Sequence, residues 1–225
     1  MREVRLGDES FLPTKVVCVG RNFPDHAREM GGESPFSEPV IFIKPNSSIA
    51  SSPAELFIPE GLGLLHHEVE LCALVGRTVF SASGEEAADA VAGWAVGIDF
   101  TLRERQAAAK RSGGPWALSK GFDGAAVLGE FRRAGRDFDP GSAELSLRVD
   151  GKERQRGNAR DMTFSPQEII GFVSGFMTLE RGDVVMCGTP AGVGQVNDGE
   201  RIRAEAEGLA VLEFTLKRSR GGSCM

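Results

Sequence analysis

Two glutamates, Glu68 and Glu70, stand two positions apart in the run Leu64-Leu65-His66-His67-Glu68-Val69-Glu70-Leu71-Cys72-Ala73-Leu74-Val75. Gly63 and Gly76 bound the run, and its β-favouring content predicts a strand. Side chains alternate across a strand, so His66, Glu68 and Glu70 share one face while His67, Val69 and Leu71 share the other. With Cα atoms about 6.5–7 Å apart, both carboxylates can converge on one divalent ion. Burying two acids in an apolar run is costly unless a cation holds them. An all-oxygen set selects Mg²⁺, Mn²⁺ or Ca²⁺ over zinc. The same spacing equally suits two ordinary glutamates on a sheet face open to water, and the run alone leaves both readings standing.

Other segments carry groups of matching chemistry. His26 and Glu29, at i and i+3 of a predicted helix, lie on one face and can hydrogen-bond. A carboxylate that orients an imidazole raises its basicity, as a water-activating base requires; a surface histidine beside a surface glutamate is the plainer reading. Asp99 ends the apolar run Trp94-Ala95-Val96-Gly97-Ile98, a place for a metal ligand or for a capping side chain. Lys120 lies in the glycine-rich stretch 113–124, where it can face a developing oxyanion or water. In Gly188-Thr189-Pro190-Ala191-Gly192-Val193-Gly194 the glycines allow close backbone approach to a ligand, and Thr189 can donate to a carboxylate.

The elements that position these groups are short. Strands are predicted at 15–20, 39–45, 56–58, 64–76, 94–100 and 184–187. Hairpins are predicted at 145–156, around Asp150-Gly151, and at 199–216, across Glu207-Gly208. Asn22 as N-cap, Pro24 in the first turn and Gly31 as the stop predict the helix that carries His26. Ser83 caps a helix over 83–92, and Thr101 caps one reaching Arg111 or Ser112. Ser165-Pro166-Gln167-Glu168 is a capping box with proline at N1, predicting a helix to about Thr178 or Leu179. The Gly-, Ser- and Pro-rich stretch 31–39 reads as a mobile loop that makes the His26 helix part of a lid.

Composition narrows the function classes. Net charge is −6 over 225 residues with no basic block, which argues against nucleic acid. Cys18, Cys72 and Cys187 sit in apolar runs without a CxxC pair, so they read as buried thiols in a reducing cytoplasm. Cys224 falls in the polar C-terminal tail. No run is apolar enough to span a membrane, and the N-terminus lacks the apolar centre of a signal peptide. Many short strands, a few helices and no internal repeat imply one α+β, β-rich domain.

Six blocks recur together: GRNFPDHAREMG (20–31), PVIFIKP (39–45), HHEVEL (66–71), GIDFTLRERQ (97–106), PWALSKGFDG (115–124) and DVVMCGTPAGVG (183–194). In this order and spacing the chain, over about 15–216, resembles the fumarylacetoacetate hydrolase superfamily. Its short form is most similar to the acylpyruvate hydrolase branch. The resemblance implies a mixed β-roll or sandwich of packed sheets with peripheral helices, usually a homodimer. It places a short N-terminal segment at 1–14, a single catalytic domain at 15–217 and a disordered tail at 218–225. It implies Mg²⁺ or Mn²⁺ held by Glu68, Glu70 and Asp99, and water activated by His26 and Glu29. Lys120 would stabilise the oxyanion, and Arg21, Gln106 and Thr189 would touch a keto-acid substrate. Phe23, Pro24 and Arg105 depart from the usual pattern, with Arg105 either adding positive charge near the site or facing solvent.

The expected activity is metal-dependent hydrolysis of the C–C bond of an acylpyruvate, of fumarylpyruvate or acetylpyruvate type, to pyruvate and a carboxylic acid. The alternative uses the same polarised keto acid without water: decarboxylation of oxaloacetate, or isomerisation or decarboxylation of hydroxymuconate-type compounds of aromatic catabolism. A non-catalytic keto-acid-binding protein is a third class. The co-occurrence of the acid triad with His26, Glu29 and Lys120 argues against it, because binding alone needs no water-activating pair.

Overall fold

Short apolar runs punctuated by glycine favour sheets over long helices, and sheets organise this chain. In the computed structural model, which describes residues 1–31, 37–135 and 137–219, the largest sheet is mixed and eight-stranded. Seven of its strands lie in the order Val40–Pro45, Lys15–Gly20, Val184–Met186, Val69–Val75, Val91–Asp99, Ala126–Leu128 and Ile49–Ser51, and Arg132–Arg133 pairs beside them on Val91–Asp99. A five-stranded sheet runs Lys152–Asn158, Glu144–Val149, Arg201–Ala206, Leu212–Ser219 and Glu55–Pro59. A three-stranded sheet joins Thr101–Leu102, Leu65–His67 and Gly194–Gln195. This is the β-rich α+β architecture of packed sheets with peripheral helices that the sequence predicts.

Two cores flank the large sheet. On one face Leu71, Ala73, Val75, Val96 and Ile98 meet Leu145, Leu147, Ile202, Phe214 and Leu216 of the five-stranded sheet. On the other, Cys18, Cys72, Leu74, Ala95 and Met186 meet Val4, Leu6 and Phe11 of an N-terminal hairpin, Val4–Leu6 with Glu9–Phe11. Strand Val69–Val75 is therefore buried at every residue, which explains why it is apolar everywhere but at Glu70. Cys18, Cys72 and Cys187 are buried free thiols. No described helix is long and apolar enough to cross a membrane.

Several local expectations change. The predicted strand 64–76 is two strands, Leu65–His67 and Val69–Val75, in different sheets, and Glu68 sits at the break. Asn22 does not cap the helix Pro24–Glu29; Phe23 is at the N-cap. Asn22 instead donates to Phe164 O at 2.9 Å and Cys187 O at 2.8 Å and accepts from Phe164 N at 2.8 Å. Thr101 does not cap the helix Arg103–Ser112 either; it lies in a strand and donates to Glu68. The helix after Ser83 ends at Asp89 because strand Val91–Asp99 begins, and the helix after Ser165 ends at Ser174. The capping box predicted at Ser165 forms, and Ser83, predicted as a simple cap, forms one with Glu86 as well. Asp150 and Gly151 take positive φ of 48° and 75°, as a tight hairpin turn requires. Arg218 and Ser219 extend the last strand, past the expected start of the tail. Residues 220–225, and 32–36 of the expected mobile loop, lie outside the described residues.

Asn22 ties the segment before the His26 helix to two other loops. Asn22→Ala leaves three backbone groups without partners, so it should lower the unfolding free energy by about 2–4 kcal/mol. Urea melts check this; a change under about 0.5 kcal/mol would mean the tether carries no stability.

Candidate metal centre and active site

Strand register brings the acids together. Antiparallel pairing sets Glu70 opposite Gly97, and Asp99 N donates to Glu68 O at 2.9 Å. Alternation then turns Glu68, Glu70 and Asp99 to one face of the sheet. One oxygen from each lies within 4.8 Å of the others, and all three residues are buried. The sequence reading of a convergent carboxylate set, rather than a wet sheet face, is what the geometry provides.

Each acid has a different electrostatic setting. Glu68 Oε1 accepts from Arg103 Nη2 at 2.5 Å and Thr101 Oγ1 at 3.0 Å, and Oε2 from Lys120 Nζ at 2.9 Å. Burial would raise its pKa, but Lys120 and Arg103 hold it well below the usual carboxylate range. Asp99 is bracketed by two lysines, Lys44 Nζ at 2.7 Å from Oδ1 and Lys120 Nζ at 2.6 Å from Oδ2. Glu70 has no cation of its own; among the described residues its partner is Gly188 N, 2.7 Å from Oε2. Burial, then Asp99 and Glu68, push its pKa well above the usual range. A buried acid that resists ionisation, beside one held ionised by Lys120 and Arg103 and one bracketed by two lysines, fits a hard divalent cation bound by oxygens alone. The donor set is that of Mg²⁺ or Mn²⁺, with Ca²⁺ also compatible.

Lys120 comes from the buried end of a short helix, Ala117–Lys120, and Phe42 covers its ammonium at 4.9 Å. Burial alone would lower its pKa, yet Asp99 and Glu68 hold it above the ordinary lysine range, so it stays charged. The backbone behind Thr189 is just as constrained. Gly188 sits at φ 98°, and a Cβ there would lie 2.7 Å from Asn22 Cβ; Gly192, at φ 95°, would place one 2.2 Å from Arg154 O.

His26 is 6% exposed, with Nδ1 3.3 Å from Glu29 Oε2. Burial lowers its pKa, against the pull of Glu68 and Glu29, so the ring is neutral at pH 7. Glu29 also accepts from Gly192 N, at 3.3 and 3.2 Å from its two oxygens, which joins the His26 helix to the Thr189 loop. His66, although on the strand with the acids, is no ligand. Its Nδ1 takes a hydrogen bond from Arg103 Nε at 3.3 Å, and burial and Arg103 lower its pKa to about 4.

A cleft opens over Glu68 and Glu70. Arg21, His26, Gln106, Lys120 and Thr189 all line it with Glu68 and Glu70, as the sequence reading expects. Arg21 holds φ 59°, a strained backbone for a non-glycine residue. Arg105 is exposed; on this helix it is Arg103 that lines the cleft. The helical period carries the signal that was missed: 103, 106 and 110 share one face with Gln106, and 105 does not. Lys110 also lines the cleft, over Trp116 at 5.3 Å. Burial, with Arg21 and Arg103 nearby, lowers its pKa to about 8. Lys44 was legible only as a strand-end lysine.

Sheets curled over an oxygen-donor cluster, with a buried lysine and an oriented histidine at its rim, define a class of metal-dependent enzyme folds. The chain belongs to the fumarylacetoacetate hydrolase family: the model for the fumarylacetoacetate (FAA) hydrolase C-terminal domain matches residues 15–217. It is 43% identical over 205 residues to a mitochondrial oxaloacetate tautomerase of Arabidopsis thaliana, covering 91% of this chain and 92% of the relative. Fumarylpyruvate hydrolase from Pseudomonas aeruginosa, solved with Mn²⁺ and pyruvate, superposes with a TM-score of 0.92 at 36% identity, covering 97% of this chain and 96% of that one. A 5-carboxymethyl-2-hydroxymuconate delta-isomerase from Mycobacterium smegmatis superposes with a TM-score of 0.82 at 34% identity, covering 94% and 81%.

Mn²⁺ at about 100 times its Kd should stabilise the protein by about 2.7 kcal/mol, read as a rise in melting temperature. Glu70→Gln should abolish that rise. The ion must displace a proton from Glu70, whose pKa is raised, so the rise should shrink as pH falls from about 8 to about 6. An undiminished rise in Glu70→Gln would take the ion away from the triad.

Proposed function

We propose that this chain interconverts the enol and keto forms of oxaloacetate. The reading is carried by one observation: Arg21, Arg103 and Lys110 line the same cleft as Glu68 and Glu70. A 2-keto acid chelated through its carboxylate and keto oxygens leaves a second carboxylate in need of its own cation, and these side chains supply it. The oxaloacetate tautomerase relative supports the choice of a four-carbon diacid.

The residues present fit the chemistry. When bound by Glu68, Glu70 and Asp99, the divalent cation supplies Lewis-acid polarisation of the keto oxygen. His26 is neutral; Glu29 takes the Nδ1 hydrogen, which leaves Nε2 to hold or return the proton at the carbon between keto group and distal carboxylate. Lys120 uses two N–H donors on Glu68 and Asp99 and keeps a third for the oxygen where negative charge grows.

Hydrolysis of a fumarylpyruvate-type acylpyruvate is the second reading. The His26–Glu29 pair favours it, since the same base can activate water at the distal carbonyl, and so does the fumarylpyruvate hydrolase relative.

Ultraviolet assays of enol-oxaloacetate, fumarylpyruvate and acetylpyruvate with Mg²⁺ or Mn²⁺, repeated with chelator, separate the two. Acceleration of enol-oxaloacetate decay beyond turnover of either acylpyruvate is the expected result. Faster cleavage of fumarylpyruvate would install the second reading instead. His26→Ala should cut turnover by about 10²- to 10⁴-fold with the Mn²⁺ melting shift intact, and full activity in that variant would remove its assigned role. Lys110→Met should raise KM for oxaloacetate about tenfold and leave acetylpyruvate, which has no second carboxylate, nearly unchanged. Equal effects on both would deny Lys110 the distal contact.

A further inference from the structure

The strand Lys152–Asn158 has the sequence Lys-Glu-Arg-Gln-Arg-Gly-Asn, and Gln155 is its one buried residue, 1% exposed. Its side chain makes four contacts. Oε1 accepts from Val69 N at 3.1 Å and lies 2.8 Å from His67 Nδ1. Nε2 donates to Pro190 O at 2.8 Å and to Thr189 Oγ1 at 2.8 Å.

The direction of these bonds is not free. A backbone N–H can only donate and a backbone carbonyl can only accept. Turning the amide over would set N–H against Val69 N–H and oxygen against Pro190 oxygen. Two backbone groups therefore fix which end is nitrogen. The second Nε2 hydrogen must then go to Thr189, which makes Thr189 Oγ1 an acceptor toward Gln155. Among the described residues, no protein group accepts the Thr189 hydroxyl hydrogen. Thr189 is 3% exposed and lines the cleft with Glu70, His26 and Lys120.

We propose that Gln155 is a positioning residue that turns Thr189 into an obligate hydrogen-bond donor toward the cleft. Gln155 touches no substrate; it decides the sense of the hydroxyl that does. The subsite beside Thr189 then takes an oxygen acceptor, a carboxylate or keto oxygen, and disfavours a donor such as an amide NH₂ or an ammonium. The inference rests on the keto-acid chemistry proposed above for this cleft, which Thr189 lines.

Glutamate at 155 reverses the arrangement at about pH 8. One carboxylate oxygen still accepts from Val69 N, while the other becomes an acceptor for the Thr189 hydroxyl and draws its hydrogen out of the cleft. Oxalate, a two-oxygen chelator, is the probe, titrated by calorimetry at saturating Mn²⁺. Thr189→Val should weaken oxalate about tenfold, and Gln155→Glu should weaken it by a similar factor. The double variant should be no weaker than Thr189→Val alone, because Gln155 acts only through the hydroxyl. Thr189→Ser should restore both the affinity and the sensitivity to Gln155→Glu.

Losses that multiply in the double variant would make Gln155 a general support of the fold and overturn the proposal. An effect of Thr189→Val with none of Gln155→Glu would overturn it while leaving the substrate contact in place. An unchanged Thr189→Val would remove the contact itself, and the inference with it. Should Gln155→Glu fail to fold, Gln155→Met, which frees the hydroxyl to rotate without offering it a strong acceptor, enters the same cycle: a loss smaller than that of Thr189→Val, and absent in the Thr189→Val background, is expected, and a loss that persists in that background would overturn the proposal.

Discussion

Three carboxylates buried within reach of one another repel, and the site is shaped by how that repulsion is met. Lys44 and Lys120 hold Asp99, Lys120 and Arg103 hold Glu68, and the amide of Gly188 holds Glu70. These partners come from four separate segments. The large sheet must therefore be assembled, with its strands in register, before the acids can coexist. Removing one partner leaves a buried charge unpaired, which costs more than the pair itself contributes. The arrangement also leaves one acid, Glu70, without a counter-cation, and that imbalance is what makes the cluster a binding site rather than a closed salt-bridge network.

The oriented histidine depends on a second set of ties. The His26 helix is six residues long, too short to hold itself by its own hydrogen bonds. Asn22 anchors its entry to Phe164 and Cys187, and Glu29 fastens its last turn to Gly192. Gly192 in turn sits where a side chain would strike Arg154, on the strand that carries Gln155. Base, hydroxyl donor and glycine loop are thus fixed by one continuous set of contacts, and a displacement of the loop moves all three. Positioning of this kind is worth orders of magnitude in rate when reacting groups must meet within hydrogen-bond distance.

The sequence carried the ligand triad, because period-two spacing and a terminal acid on the next strand survive folding almost unchanged. It carried the Ser165 capping box, the Ser83 cap and the Asp150-Gly151 turn for the same reason: those signals are local. It misplaced Asn22 and Thr101, whose types suit a cap, because buried backbone groups and a ligand carboxylate compete for the same side chains and win. It read 64–76 as one strand because pairing partners in two different sheets leave no mark on the strand itself. Lys44 and Gln155 were silent as functional residues. Their importance comes from what folding places against them, an aspartate and a threonine far along the chain.

Tautomerisation of a keto diacid and hydrolysis of an acylpyruvate share one electron movement, onto a polarised keto oxygen. They differ in the source of the pair: a C–H bond when a base takes the proton, or a C–C bond after water has added to the distal carbonyl. Nothing at the triad distinguishes them. The distinction falls to the helical face that carries Arg103, Gln106 and Lys110, and to the access water has to His26. A cation facing the distal carboxylate holds a four-carbon diacid with its carbon acid toward the base; a longer acyl chain carries its second carboxylate further from the triad and puts its carbonyl in that place. On the proposed reading, the two reactions divide at this helix face and not at the carboxylate triad.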